Sequence, residues 1–166
     1  CTCYHPLFLF NQFGDLERCS LRSGNVHSAD DWESVLKPVV VRYKGRKVRL
    51  YFRGDAAFAS PEIYDYLEVE GFLYAIRLLK NQVLQENISH FLTRPVGRPP
   101  NHVLRFYASF SYQAGSWDRK RRVVAKVEWH PGELYPRVGF IVSNLSRPAE
   151  RVVAFYNQRG KAEQFI

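Results

Sequence analysis

The chain has 166 residues, 46% hydrophobic and 15% aromatic, which is one domain's length with enough bulk to bury a core, so disorder is excluded. Lys and Arg number 24 against 16 Asp and Glu, a net charge of +8, and a globular chain that basic works against a polyanion or an anionic surface. No apolar run approaches the ~18 residues of a membrane span, no charged-then-apolar-then-small pattern opens the chain, so no secretory signal is expected, and three cysteines (Cys1, Cys3, Cys19) define no paired framework, so the expected setting is a reducing cytoplasm. Cys1 stands where Met would, and the chain stops at Phe165-Ile166 with no polar tail; the expectation is a piece of a longer protein.

In chain order, Leu7 to Phe13 is an apolar-aromatic run, Gly14-Asp15 a turn signal, and Leu16 to Leu21 a second strand antiparallel to the first. A loop over Ser23–Ser28 leads to a helix starting near Asp30-Asp31, because acids favour a helix N-terminus. Trp32, Val35, Leu36, Val39 and Val40 carry its helical spacing, and Pro38 should kink it or shorten its start. Val48 to Phe52 reads as a strand, followed by Arg53-Gly54-Asp55. Ser60-Pro61-Glu62 starts a helix that Gly71 ends. Phe72 to Leu78 is a strand and Val83 to Leu92 one helix. Alternating strands and helices imply crossover units and a partly parallel sheet.

The pattern changes at Thr93–Asn101, where three prolines exclude regular structure. Val103–Tyr112, Arg122–Trp129 and Arg137–Val142 follow as three β-type runs, a β-rich insertion at 94–145 within an α/β core formed by 1–93 and 146–166. Ser146–Glu150 then caps a helix expected to reach the end of the chain.

Topology points to a site. Ligands of open α/β sheets bind beyond the carboxyl ends of the parallel strands, and Asp55 lies just past such an end. If the strand at 16–21, the helix at 30–43 and the strand at 48–52 form one crossover unit, the Asn25–His27 loop shares that edge. Gly-Asp is also ordinary turn chemistry. On the last helix Tyr156, Arg159 and Glu163 stand three and four apart, on one stripe. A surface ion pair worth only ~0.3–0.5 kcal/mol is the plainer reading of such spacing. Gly160, costing ~1 kcal/mol in a helix interior, suggests a close backbone approach.

With Asp55 at a strand end and Tyr156-x2-Arg159-x3-Glu163 on the last helix, the chain resembles the DDE transposases of bacterial insertion sequences, in the group marked by a Tyr-Arg-Glu-Lys signature. Supporting stretches are CYHPLFLFNQFGD at 3–15, LYFRGDAAFA at 50–59 and FYNQRGKAEQ at 155–164. The resemblance implies a ribonuclease-H-like mixed sheet flanked by helices, with a β-rich insertion before the last helix. It also implies three carboxylates binding two Mg²⁺ (or Mn²⁺) ions. Asp55 would be the second acid and Glu163 the third, with Tyr156 and Arg159 on phosphates of the transposon end. The first Asp and the motif Lys would lie outside these 166 residues. Two ions ~3.5–4 Å apart clamp the oxygens of a phosphodiester displacement, so a chain with two of three acids is expected neither to cleave nor to join DNA alone. The implied partners are inverted-repeat ends and target DNA, with a homodimer in the complete synaptic complex, no membrane, and a cytoplasmic, nucleoid-associated location.

Lys37, Arg42, Lys44, Arg46, Lys47, Arg49 and Arg53 form a basic segment with no acid, read as phosphate-contacting. Arg53, Arg121 and Arg122 join the expected DNA-binding set, the last two from the cluster at 119–122 beside Trp117. Trp117 or Trp129 could stack on an unpaired base, although burial is the commoner fate of Trp. Val96–Pro100 reads as a rigid linker rather than a minor-groove arm. Cys1, Cys3 and His5 lack a fourth ligand for a zinc site. A non-catalytic DNA-binding remnant of a transposase is the rival reading, and an RNA-binding β-platform is disfavoured because no RNP-type motif frames Phe106-Tyr107 and Phe110–Tyr112.

Overall fold

A computed structural model describes residues 3–98 and 101–160. Its elements run β1 (Tyr4–Phe10), β2 (Leu16–Ser23), α1 (Trp32–Tyr43), β3 (Tyr51–Gly54), a 3-10 turn (Ala56–Phe58), α2 (Pro61–Val69), β4 (Leu73–Leu78), α3 (Gln82–Glu86), α4 (Ser89–Leu92), β5 (Leu104–Tyr112), β6 (Arg121–Trp129), β7 (Arg137–Ser143) and α5 (Ala149–Asn157). Strands β1 and β2 form an antiparallel pair, and a separate five-stranded sheet has the order β3-β4-β7-β6-β5. Only β3 and β4 are parallel in it; the other neighbours are antiparallel.

Alternation along the strands sends side chains to two cores. Tyr74, Ile76, Val123, Ala125, Val127, Phe140 and Val142 face α1, α2 and the α3–α4 region, where Leu36, Val40, Ile63, Leu67, Leu84 and Ile88 meet them. Ala75, Val124 and Ile141 point the other way, to Val152 and Val153 of α5. The result is a mixed α/β fold with its sheet flanked by helices, consistent with the ribonuclease-H-like expectation.

Several local expectations need correction. The three β-type runs expected as an insertion within the α/β core lie in the core's own sheet, where β7 pairs with β4 from Ala75↔Ser143 to Leu78↔Phe140 and β6 and β5 follow outward. Strand β2 belongs to the other sheet, so no β2–α1–β3 crossover unit forms; the parallel unit is β3–α2–β4. Pro38 leaves α1 continuous over 12 residues. Its missing N–H frees the carbonyl of Ser34, four residues back, and that carbonyl accepts from Arg18 Nε at 2.9 Å. Residues 48–50 are not strand, because only Tyr51–Gly54 pair with β4. The helix expected over Val83–Leu92 is two short ones. Asn81 caps the first, accepting from Leu84 N–H at 2.9 Å, and Ile88 breaks helical geometry at φ −120°, ψ 15° to bury its side chain completely. The last α-helix ends at Asn157, and a 3-10 turn continues it to residue 160.

Candidate functional site at the carboxyl end of β3

The turn that presents Asp55 depends on Gly54. A Cβ there would stand 3.0 Å from the Phe52 ring and 3.2 Å from Phe58 Cβ, so a larger residue would push the 3-10 turn off the strand end. Asp55 is the N-cap of that turn, its Oδ1 accepting from Ala57 N–H at 2.9 Å. The carboxylate is fixed by one bond to backbone while its side chain stays 41% exposed.

Helix α5 reaches this end from the other face of the sheet. Arg159 Nη2 lies 3.3 Å from Asp55 Oδ2, and its side chain is 30% exposed. Arg53, two residues before Asp55, lays its guanidinium 5.0 Å from the centre of the Phe155 ring. It donates to the Phe155 carbonyl at 3.2 Å and reaches Gln158 Oε1 at 3.5 Å. Burial lowers the Arg53 pKa from its ordinary value, though such a group stays protonated throughout the physiological range. Tyr51 and Phe155 rings stand 5.5 Å apart, and Tyr156 packs against the α5-side core. Two strand residues and the end of α5 are thus locked together, bringing Arg53, Asp55 and Arg159 to one place. Glu163 lies outside the described residues.

The other expected contacts are placed elsewhere. Arg121 is 5% exposed. Its Nη2 is 2.5 Å from Asp65 Oδ1, its Nε 3.2 Å from Glu68 Oε1 and its Nη1 3.2 Å from Asp118 Oδ1. The guanidinium also lies 5.1 Å from the Tyr64 ring centre and 5.7 Å from that of Trp117. This arginine ties β6 to α2, so the expectation that it faces DNA is corrected: every nitrogen is engaged internally. Arg122 donates to Ser109 Oγ at 2.7 Å and to the Leu145 carbonyl, which holds it along β5 and the start of the α5 approach. Trp117 and Trp129 are both buried, and Trp129 Nε1 donates to the Phe91 carbonyl at 3.1 Å; neither ring offers a stacking face. Among the described residues a Cβ at Gly160 would meet nothing within 4 Å, so none of them makes the close backbone approach expected there. Pro99 and Pro100 of the Gly-Arg-Pro stretch lie outside the described residues, as does Cys1; His5 of that cluster meets the Val26 carbonyl at 3.3 Å and Ser28 Oγ at 3.5 Å.

Sequence reasoning missed Gln158 and the Asp65–Glu68 pair. The second had a signal: two acids three apart on a short helix, on one stripe, facing an oppositely charged run at 119–122.

Among the described residues no three His, Cys, Asp or Glu side chains cluster as a metal site. Asp55 nevertheless suits a hard divalent cation: an anionic oxygen donor, held by one backbone bond, with its second oxygen toward an arginine rather than a buried partner. No helix among the described residues is long and apolar enough to cross a membrane. Neither the curated proteins nor the solved structures contain a match. A family model, Transposase DDE domain group 1, matches residues 1–166. With an acid beyond the end of a parallel strand and the last helix returning an arginine to it, the chain belongs to the DDE transposase domain family.

Proposed function

We propose that this domain takes part in DNA transposition as the metal-dependent strand-cleaving and strand-joining core of a transposase, with Asp55 and Glu163 as metal-binding carboxylates. The observation that carries the reading is the Asp55–Arg159 contact across 104 residues of chain. It brings Arg159, two residues past the end of α5 and four residues before Glu163 in sequence, to the strand-end acid. When bound, Mg²⁺ or Mn²⁺, two ions in the complete enzyme, supplies Lewis-acid stabilisation of the attacking and leaving oxygens.

The chain's own residues do the rest. Asp55, oriented by Ala57 N–H at Oδ1, presents Oδ2 to Arg159. Arg159 lies within reach of both that oxygen and incoming phosphate, and charge-assisted guanidinium–phosphate bonds are the strong ones. Arg53 is oriented by the Phe155 ring and carbonyl, so its charge is held beside the site. Tyr156, one residue beyond Phe155, contributes from the same helix end. The substrates are transposon ends and target duplex, in a homodimeric complex.

Mn²⁺ binding tests this, read from the loss of the free-ion electron spin resonance signal on titration into the 166-residue chain. Asp55→Asn and Glu163→Gln should each weaken binding while the circular dichroism spectrum stays that of wild type. Affinity unchanged in both variants would overturn the assignment of these two acids.

A further inference from the structure

The basic segment at 37–53 divides into three parts. Lys37 pairs with Glu33, Arg42 with Glu17 and Lys44 with Glu70, at 2.9, 2.8 and 3.1 Å. Arg53 is folded onto Phe155 at the Asp55 end. Between them Arg46, Lys47 and Arg49 are all exposed, and none makes an ion pair among the described residues. They occupy the turn between the end of α1 at Tyr43 and the start of β3 at Tyr51, with Arg46 resting 5.7 Å from the Tyr43 ring centre.

Strand direction decides what these cations serve. They precede β3, whereas Asp55 follows it. Asp55 is six positions on from Arg49, at most about 20 Å at roughly 3.3 Å per residue. Strand β4 runs parallel to β3, so Gly71 and Leu73 lie at the same amino end as Arg46 and Arg49. All four line a cleft of about 520 Å³ between α1 and the start of the two strands. The acid in that cleft, Glu70, is paired with Lys44. A phosphate held by Arg46 and Arg49 would thus lie at the end of the sheet opposite to the candidate site.

We infer that Arg46, Lys47 and Arg49 form a second duplex-DNA contact, gripping the phosphate backbone of a segment other than the one at Asp55. Three exposed cations of one sign on a turn, two of them at the mouth of a cleft between α1 and the strand starts, suit backbone contact without sequence readout. The inference rests on the reading of the chain as a DNA-acting domain, and the test separates the two. Binding of a 12-base-pair duplex to the 166-residue chain is measured as stoichiometry by sedimentation and as affinity over a range of salt.

Wild type should take two duplexes per chain. Arg46→Ala/Lys47→Ala/Arg49→Ala should take one, the lost event being the one that weakens roughly 40-fold for a fourfold rise in salt, as three phosphate contacts require. Arg53→Ala/Arg159→Ala should lose the other event. Each single alanine variant of the three turn residues should make the salt slope shallower by about 0.9, which keeps the test decisive if the triple variant fails to fold. A triple variant, or three single variants, binding as wild type overturns this contact alone. Loss of nothing in Arg53→Ala/Arg159→Ala overturns DNA contact at the Asp55 end alone. Wild type binding no duplex overturns both.

Discussion

Arg121 and Arg159 each meet carboxylates, the first from inside the fold and the second at its rim. Arg121 engages three acids and two aromatic rings at 5% exposure. Glu68 in turn accepts from the Tyr74 hydroxyl at 2.8 Å and from Arg119, so the assembly joins α2, β4 and the start of β6. Arg159 meets Asp55 Oδ2 at 3.3 Å, with the two side chains 30% and 41% exposed. A buried charge missing one partner is costly, whereas an exposed pair contributes at most ~1 kcal/mol. The first assembly therefore holds the fold, and the second can exchange its partner for phosphate or cation at little cost. The proposed chemistry falls on the weaker pair.

That contrast is broken most directly by removing each arginine. Arg121→Met should destabilise by roughly 1–2 kcal/mol, less than the ~3–5 kcal/mol of orphaning a fully buried charge, because Asp65 and Asp118 are 46% and 56% exposed and Glu68 keeps Tyr74 and Arg119 as partners. Arg159→Met should change stability by no more than about 0.5 kcal/mol while weakening duplex binding. Urea denaturation of both variants measures the difference; equal losses would remove the distinction.

Acid sharpens it. Burial pushes the Glu68 carboxyl up, but the Tyr74 hydroxyl and the Arg121 and Arg119 guanidinium groups outweigh that and hold it below its ordinary value of 4.5. A carboxylate whose pKa is lower folded than unfolded adds stability that is full above its unfolded value and lost as pH falls through the folded one. The melting temperature of wild type should therefore exceed that of Glu68→Gln at pH 7, and the gap should close as pH drops below 4.5. A gap constant from pH 7 to 3 would show that Glu68 contributes shape and not charge.

The two assemblies were unequally legible in the sequence. Periodicity exposed the strands β5, β6 and β7, since apolar alternation is local, but not that β7 pairs with β4 and so joins them to one sheet. The run Arg119–Arg122 was visible as charge, yet two of the three acids that absorb Arg121 lie 53 and 56 residues away, beyond local reach, and only Asp118 is a sequence neighbour. The Asp55–Arg159 contact spans 104 residues; the resemblance put both residues in one site, but not in contact with each other. Likewise the basic segment at 37–53 reads as one patch in sequence. In space a four-residue strand splits it, leaving Arg53 beside Asp55 and Arg46, Lys47 and Arg49 at the opposite end. One-dimensional charge counting has no access to strand direction.

Within the Arg121 assembly, Tyr64 isolates what the aromatic partner contributes. Its side chain is wholly buried, stacked on Tyr74 at 5.6 Å and edge-on to Trp117 at 5.3 Å, and burial drives its hydroxyl pKa up. That hydroxyl has no hydrogen-bond partner among the described residues. A buried unpaired polar group costs roughly 1 kcal/mol or more, so Tyr64→Phe should raise stability by up to about 1 kcal/mol while keeping both ring contacts and the cation–π contact to Arg121. A loss of stability in thermal melts would mean the hydroxyl is satisfied and belongs to the network.

The smallest effect belongs to the rim. Asp55 contributes to its turn through one oxygen accepting from Ala57 N–H, and loss of such a cap costs about 0.5–1 kcal/mol in short helical turns. Asp55→Asn keeps an acceptor oxygen in the same place and should cost only a few tenths of that scale, whereas Asp55→Ala should cost the whole of it. Both remove the anionic charge opposite Arg159, so both should abolish whatever cation affinity Asp55 confers. Stability and cation binding should therefore separate: Asn near wild type in melts and Ala lower, with the two indistinguishable in Mn²⁺ titration. If Asn destabilised as much as Ala, the exposed pair with Arg159 would be holding α5 to β3, and the rim would be built like the interior.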